Sequence, residues 1–201
     1  MSLYNFLASA LKVFYKLMFR INIEGIENVT TDGGVIFTPN HKSNFDPPLI
    51  ACILPVRLTF MAKEELFKMK IIGFILKKCG AFPIKRGGAD ISAMKSALKI
   101  LKDGGNMLIF PEGTRCPENG KILRGKSGAA LLAYKSEAKI VPIGIDGSYK
   151  FRKKITIRIG KPLDINSYFT EKPSSADFQS FTDNMIMEQI RLLAGAEFYD
   201  N

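Results

Sequence analysis

Short apolar runs alternate with longer amphipathic stretches along most of this chain. Runs rich in β-branched and aromatic residues predict strands at RINIEG, GVIFTP, RLTFMA, AFPIKR, NMLIFP, KIVPIGI and KITIRIG. Apolar residues at helical spacing predict helices from Asp46 to about Leu54, through DISAMKSALKILKDGG, through SGAALLAYKSEA, and from near Ser175 to Gly195. This alternation predicts a single α/β domain, in which a largely parallel or mixed sheet of about seven strands is flanked by helices.

The first twenty residues, MSLYNFLASALKVFYKLMFR, carry an apolar stripe bordered by cations. On a helix, one face would hold Leu3, Phe6, Leu7, Leu11, Phe14, Leu17 and Met18, and the other Asn5, Ser9, Lys12, Lys16 and Arg20. The charges interrupt the apolar run too early for a spanning helix, and their order does not fit a signal peptide. The pattern favours an amphipathic membrane-interface helix over residues 1–20, before one domain over residues 21–201. A helix packed on the domain core would show the same stripe.

The charge balance narrows the class of partner. The 201 residues include 29 Lys and Arg but 19 Asp and Glu, which gives a formal net charge of +10. Such a charge indicates an anionic partner: nucleic acid, acidic lipid or a phosphorylated metabolite. The three cysteines, Cys52, Cys79 and Cys116, lack the spacing of a zinc site or a disulfide framework, so a reducing compartment is expected.

Candidate chemical groups follow the ends of three predicted strands. His41, the only histidine, comes after GVIFTP; Arg86 follows AFPIKR; Glu112 and Arg115 follow NMLIF. Ligands of open α/β sheets bind at the carboxyl ends of strands, so these side chains are expected at one edge. In NHKSNFD, Asp46 stands five positions after His41, which suits a catalytic pair. The two prolines after Asp46 are equally typical of a helix N-cap, and both roles can coexist.

Two further segments have the composition of phosphate-binding turns. In FPEGTR, residues 110–115, Gly113 lets backbone approach a ligand and the Arg115 guanidinium suits phosphate oxygens, although a surface Glu112–Arg115 ion pair would look the same. GKILRGKS, residues 120–127, has the spacing of a nucleotide-binding P-loop, but no predicted strand directly precedes it and its interior is bulky. Because of this spacing, a P-loop nucleotide hydrolase is the alternative function, although the missing strand and the bulky interior weigh against it. A nucleic-acid-binding protein is a second alternative, but the aromatic residues lie mostly in apolar runs.

Four ordered blocks together resemble the glycerophospholipid acyltransferases of the 1-acyl-sn-glycerol-3-phosphate acyltransferase type. The blocks are NHKSNFD at 40–46, then Gly80, Phe82, Ile84 and Arg86, then FPEGTR at 110–115, then Val141-Pro142-Ile143. The resemblance covers roughly residues 20 to 160. Two departures from the family pattern leave substrate choice open: Cys116, where serine is common, and the Gly-Lys-Ser-Gly run at 125–128.

The resemblance implies transfer of a fatty acyl group from acyl-CoA or acyl-carrier protein to the free hydroxyl of 1-acylglycerol-3-phosphate or of another lysolipid. His41 would be the general base and Asp46 would orient it. Acceptor binding would fall to Arg86, Glu112, Gly113, Thr114, Arg115 and Lys126, with Glu112 orienting the glycerol or Arg115.

The expected requirements and setting follow from the residues and from the same resemblance. From the residues themselves, no metal is expected, because no plausible ligand cluster accompanies the one histidine. No cofactor beyond the acyl donor and no nucleic acid partner are expected. The expected location is the cytoplasmic face of a membrane, with the enzyme peripheral or monotopic on an anionic surface. The run LFKMKIIGFIL, residues 66–76, would border an acyl-chain groove at the membrane, or form a buried helix whose lysines extend to water.

Overall fold

The computed structural model describes residues 3–30, 33–84 and 90–199, and its elements follow the predicted alternation. The helices are α1 (Leu3–Met18), α2 (Asp46–Ile53), α3 (Glu64–Lys68), α4 (Lys70–Lys78), α5 (Ile91–Lys102), α6 (Gly128–Ser136), α7 (Ser175–Phe181) and α8 (Glu188–Ala194), with a 3-10 turn over Ile26–Asn28 and a π-helical turn over Thr182–Met187. The strands are β1 (Arg20–Glu24), β2 (Val35–Pro39), β3 (Leu58–Lys63), β4 (Phe82–Ile84), β5 (Asn106–Leu108), β6 (Lys121–Ile122), β7 (Lys139–Gly147), β8 (Lys154–Ile159) and β9 (Glu197–Phe198).

One mixed sheet organises the fold, with seven strands in the order β1-β8-β7-β2-β5-β3-β4. The β7–β8 pair is antiparallel and the other pairs are parallel. The predicted α/β class and the predicted mixed sheet of about seven strands are therefore confirmed. β2 lies between β7 and β5, so the loop that follows it emerges at the centre of the sheet. A separate parallel pair, β6 with β9, was not predicted, because two-residue strands leave no periodic signal.

Alternating side chains of the sheet enter two apolar cores on its opposite faces. In β2, Val35 and Phe37 join one core and Ile36 joins the other, and all three are 0% exposed. This burial on both faces explains why the strand appears in the sequence as a continuous apolar run. Helices α1 and α2 cover the first face, and helices α5, α6, α7 and α8 cover the second.

Helix α1 divides its apolar side chains between the core and the solvent. The side chains that pack inward recur three or four positions apart and are Tyr4, Ala8, Leu11, Tyr15 and Met18. Those that stay 40–65% exposed are Leu3, Phe6, Val13, Phe14 and Leu17. The predicted stripe therefore mixes two groups, since Leu11 and Met18 contact the core while Phe6 and Leu17 face outward. In the part of the chain that the structure describes, no helix is long and apolar enough to cross a membrane.

The apolar run at residues 66–76 falls in α3 and α4. Within α4, Gly73 is the only buried residue, while Ile71 is 77% exposed and Phe74 is 57% exposed. The buried-helix alternative for this run is therefore wrong for α4. Four of its five large apolar side chains are 37–77% exposed: Ile71, Ile72, Phe74 and Ile75.

Candidate active site

The loops that follow β2, β5 and β7 lie at the same edge of the sheet, because these three strands are parallel. His41 lies at this edge. β2 continues into Asn40 and His41, which face the segments carrying Phe110 and Tyr149. Asn40 is 4% exposed, and its side-chain amide pairs with the backbone of Ile145 in β7. The Asn40 Nδ2 group donates to the carbonyl at 3.1 Å, and Oδ1 accepts from the N–H at 2.7 Å. This double hydrogen bond fixes the backbone immediately before His41.

Asp46 gathers the donors of the histidine loop around one buried carboxylate. His41 Nδ1 lies 2.9 Å from Asp46 Oδ2, and the same oxygen accepts the backbone N–H groups of Lys42 and Ser43, each at 2.7 Å. The Tyr149 hydroxyl donates to Oδ1 at 2.6 Å. The side chain of Asp46 is 0% exposed and that of His41 is 13% exposed. Because Asp46 engages Nδ1, Nε2 is the ring nitrogen that can accept a proton from a ligand.

The expected N-cap role of Asp46 is wrong. Helix α2 begins at Asp46 with Phe45 as its N-cap residue, and no side chain caps its first turn. The Asp46 carboxylate instead accepts the amides of Lys42 and Ser43 in the preceding loop. An aspartate before two prolines has the same sequence signature in both arrangements. The two arrangements differ in the path of residues 42–43, whose backbone N–H groups here point at the Asp46 carboxylate.

Aromatic rings hold both members of this pair in place. The His41 ring stacks on Phe110, with centroids 4.1 Å apart and an interplanar angle of 29°. The ring of Tyr149 stacks on Phe45 at 5.5 Å. Burial and the negative charge of Asp46 raise the pKa of the Tyr149 hydroxyl, so it remains a hydrogen-bond donor. Sequence reasoning missed Tyr149, because it lies 103 positions from Asp46 and belongs to none of the four blocks.

Glu112 joins the histidine loop to the segment after β6. It is 2% exposed, its Oε1 accepts the His41 N–H at 2.5 Å, and its Oε2 accepts the Leu123 N–H at 2.8 Å. Burial raises the pKa of this carboxyl to about 7, while the two backbone hydrogen bonds act in the opposite direction. Four positions later, the Cys116 N–H donates to the His41 carbonyl at 2.9 Å. Glu112 within the FPEGTR turn and Cys116 directly after it therefore both hold the backbone of His41.

Gly113, Thr114 and Arg115 form the exposed tip of that turn. Gly113 has a φ of +72°, and a Cβ atom there would lie 3.2 Å from Lys126 Nζ, so glycine suits both the backbone and the neighbouring lysine. Among the described ion pairs, none joins Arg115 to Glu112. The turn thus carries the exposed Arg115, and the amino group of Lys126 lies beside Gly113 at its tip. Arg86, the other predicted phosphate-binding arginine, lies outside the described residues.

Comparison with known proteins decides the family. The model of a family described as Acyltransferase matches residues 20–146, which is more than half of the chain. The chain belongs to this acyltransferase family. A 1-acyl-sn-glycerol-3-phosphate acyltransferase of Bacillus subtilis is 35% identical over 187 residues, covering 90% of this chain and 92% of the relative. A protein of the same name from Streptococcus pneumoniae is 34% identical over 142 residues, and the match covers 67% of this chain but 52% of the relative.

A solved structure shares the acyltransferase fold. The crystal structure of a 1-acyl-sn-glycerophosphate acyltransferase from Thermotoga maritima superposes with a TM-score of 0.73 at 24% identity. The superposition covers 94% of this chain and 79% of the other. This superposition shows a common fold, while the family model and the curated relatives confirm the predicted family and the predicted enzyme class.

The P-loop-like segment of this acyltransferase does not have the geometry of a nucleotide-binding loop. The N–H groups of Leu123 and Lys126 donate to Glu112 and to a carbonyl of the FPEGTR turn, so they are not directed at an external anion. A Cβ atom on Gly125 would lie 2.6 Å from Met187, in the π-helical turn. Glycine at this position allows close packing between two segments, and phosphate binding is not needed to explain it.

One cation, Lys42, lies close to the buried Asp46 carboxylate of the acyltransferase site. Lys42, next to His41, extends its amino group to the carbonyl of Gly147, and burial lowers its pKa. Over residues 3–30, 33–84 and 90–199, no group of three or more His, Cys, Asp and Glu residues is placed to hold a metal ion. The described site therefore offers an imidazole, its buried aspartate and a set of cations.

Proposed function

We propose that this acyltransferase moves a fatty acyl group from a thioester, acyl-CoA or acyl-carrier protein, to the free hydroxyl of 1-acyl-sn-glycerol-3-phosphate. The product would be phosphatidic acid, as in phospholipid biosynthesis. The names of the Bacillus and Streptococcus relatives support this acceptor. The observation that carries the proposal is the His41–Asp46 pair at 2.9 Å, which occupies Nδ1 and leaves Nε2 for the acceptor hydroxyl.

The pair has the geometry that deprotonation of an alcohol requires. His41 Nε2 takes the proton of the acceptor hydroxyl while its oxygen attacks the thioester carbonyl carbon. The tetrahedral intermediate collapses with loss of the carbon–sulfur bond, and the imidazolium returns the proton to the leaving thiolate. Asp46 holds the Nδ1–H tautomer and stabilises the imidazolium through the 2.9 Å contact. The acceptor hydroxyl is therefore the nucleophile, and no protein residue becomes acylated.

The cationic side chains supply a site for the acceptor phosphate. Arg115 and Lys126 flank Gly113 at the tip of the FPEGTR turn, and Thr114 adds an exposed hydroxyl. Guanidinium groups bind phosphate oxygens with paired donors, so Arg115, and Arg86 on the basis of sequence, are assigned to the phosphate.

Glu112 has a different role in this proposal. Both of its carboxylate oxygens accept backbone N–H groups, one of them from His41. This makes Glu112 a positioning residue for the base, in place of the acceptor contact expected from the sequence.

The location follows from the substrate. A lysophospholipid acceptor is concentrated in membranes, so we place the enzyme on the cytoplasmic face as a peripheral protein. The net charge of +10 favours a surface with anionic headgroups. The outward side chains of α1, among them Phe6 and Leu17, are exposed and available to contact it.

Product identification tests the reaction. Purified protein is incubated with lysophosphatidic acid, lysophosphatidylethanolamine or lysophosphatidylcholine, each with acyl-CoA or acyl-carrier protein, and the lipids are analysed by mass spectrometry. We expect phosphatidic acid to form fastest. Product formation from one of the other lysolipids in preference would contradict the proposed acceptor, while the two donor arms identify the thioester.

A further inference from the structure

Helix α4 and the residues just before it expose an unusual amount of apolar side chain. The exposed fractions are 36% for Leu66, 51% for Met69, 77% for Ile71, 38% for Ile72, 57% for Phe74 and 37% for Ile75. Single exposed apolar residues are ordinary, but a contiguous group on one short helix marks an interaction surface. We name this group of six side chains the α4 patch.

Cations border the α4 patch and acids are missing from it. Residues 66–84 contain no Asp or Glu, and their lysines, Lys68, Lys70, Lys77 and Lys78, are all exposed. Lys78 Nζ lies 5.8 Å from the centroid of the Phe74 ring, so cation and apolar surface are interleaved. An apolar surface with a border of lysines is complementary to a lipid interface that carries anionic headgroups.

Helix α4 packs against α3 through Gly73, its one buried residue. A Cβ atom on Gly73 would lie 2.4 Å from the carbonyl oxygen of Phe67, so α3 and α4 pack at close range through this glycine. The helix has 9 residues and is therefore about 13 Å long, which suits an element lying flat in an interface.

Arg57 contacts both the first turn of α1 and the carboxyl end of α4. Its guanidinium lies 5.3 Å from the centroid of the Tyr4 ring, and it donates to the carbonyl of Lys78 at 3.5 Å. The carboxyl end of α4 is thereby joined to a side chain that packs inward from α1.

We propose that the α4 patch is a lipid-contacting surface, which lies in the headgroup region of an anionic membrane. A second copy of the chain is the less suitable occupant, because pairing two patches would bring Lys70, Lys77 and Lys78 of the two copies together. Among the described ion pairs, Lys68 is the one lysine of this border with an acidic partner, Glu64 at 3.9 Å. The inference rests on the proposed function in one respect, since a lipid acceptor gives the enzyme a reason to dock. Vesicle binding is measured without an acyl donor, so docking and acyl transfer can fail separately.

The most specific test uses the absence of tryptophan from the sequence. A Phe74→Trp variant places one fluorophore in the α4 patch, and a Leu192→Trp variant places one at a site of the same exposure, 57%, on α8, a helix outside the α4 patch. On adding vesicles of phosphatidylcholine and phosphatidylglycerol, we expect a blue shift of emission in the first variant and none in the second. If the Phe74→Trp variant binds the vesicles but its emission stays that of a water-exposed indole, the proposal is overturned. A blue shift without vesicles that grows with protein concentration would show self-association and overturn it equally.

Binding constants give an independent measurement. The double variant Ile71→Ser, Phe74→Ser should weaken partitioning into these vesicles by about tenfold or more, because it removes two large apolar side chains from the interface. Lys70→Gln with Lys77→Gln should weaken it by roughly tenfold or more on anionic vesicles and by much less on pure phosphatidylcholine. Leu192→Ser should change it less than twofold. Equal partitioning of the α4 variants and the wild type, with unchanged melting curves, would exclude α4 from the contact.

Discussion

The hydroxyl of Tyr149 supplies one of the four donors that surround the buried Asp46 carboxylate. Tyr149→Phe leaves Oδ1 of a fully buried carboxylate without its donor, a loss of about 1.5–3 kcal/mol for a charged group. We expect kcat to fall roughly tenfold or more while the KM values of both substrates stay nearly constant. Tyr134→Phe, on the opposite face of the sheet, is the matched control. An unaltered kcat in a stable Tyr149→Phe protein would remove Tyr149 from the positioning of Asp46.

Glu112 gives the protein a predictable dependence of stability on pH. Its pKa is raised from 4.5 to about 7, mainly by burial, so the folded state binds a proton that the unfolded state releases between these values. The stabilising contribution is complete below about pH 4.5 and is lost as the pH rises to about 7, by up to roughly 3 kcal/mol. Glu112→Gln should flatten this part of the curve. Urea unfolding at pH 5 and pH 7.5 measures how much the free energy of unfolding falls between these pH values. An equal fall in the wild type and in Glu112→Gln would contradict the assignment to Glu112.

Arg115 tests the assignment of the acceptor phosphate. Charge-assisted hydrogen bonds are worth about 1.5–3 kcal/mol, so Arg115→Ala should raise acceptor KM by roughly ten- to a hundredfold and change donor KM much less. Arg86→Ala should raise acceptor KM in the same way, because the sequence resemblance assigns Arg86 to the same phosphate. Lys135→Ala, which removes an exposed cation on α6, controls for net charge. If both arginine variants keep the wild-type acceptor KM, the phosphate binds elsewhere.

At the scale of elements, the two sides of α1 should respond differently to substitution. Tyr15 is 1% exposed and its hydroxyl donates to the carbonyl of Phe45 at 2.7 Å, immediately before Asp46. Tyr15→Ala should therefore destabilise the fold by about 3–5 kcal/mol. Phe6→Ser, at 59% exposure, should leave the melting temperature unchanged and weaken vesicle binding. Loss of stability in the Phe6 variant, or none in the Tyr15 variant, would show that the inward and outward sides are assigned incorrectly.

Strands were easier to predict than the contacts between them. In β2 the run Val35-Ile36-Phe37 is buried on both faces, so its apolar character is visible in the sequence itself. The order of strands was not predictable, because it depends on crossovers that place β2 beside both β5 and β7. The inward and outward sides of α1 could not be separated either, since both are apolar and only packing against α2 distinguishes them.

For the whole molecule, the sequence predicted the residues of the site better than their partners. The resemblance to the acyltransferase blocks indicated that His41 and Asp46 act as a pair, which their spacing alone could not decide, and the structure places them 2.9 Å apart. Tyr149 and Leu123 reach the site through tertiary packing, which local spacing does not encode. The prolines after Asp46 suggested that Asp46 is a helix N-cap. The same local sequence also fits an aspartate whose carboxylate accepts from the preceding loop, as observed. Long-range hydrogen bonds are thus the part of this site that required the structure.

The most direct test of the His41–Asp46 mechanism is the rate of acyl transfer by a His41→Ala variant. Lysophosphatidic acid and the preferred donor are supplied at saturating concentrations, and phosphatidic acid is quantified by mass spectrometry. Loss of a general base typically lowers the rate by about 10²–10⁴-fold, so we expect such a fall with an unchanged melting temperature. Turnover near that of the wild type, in a folded variant, would contradict the role of His41 as the base.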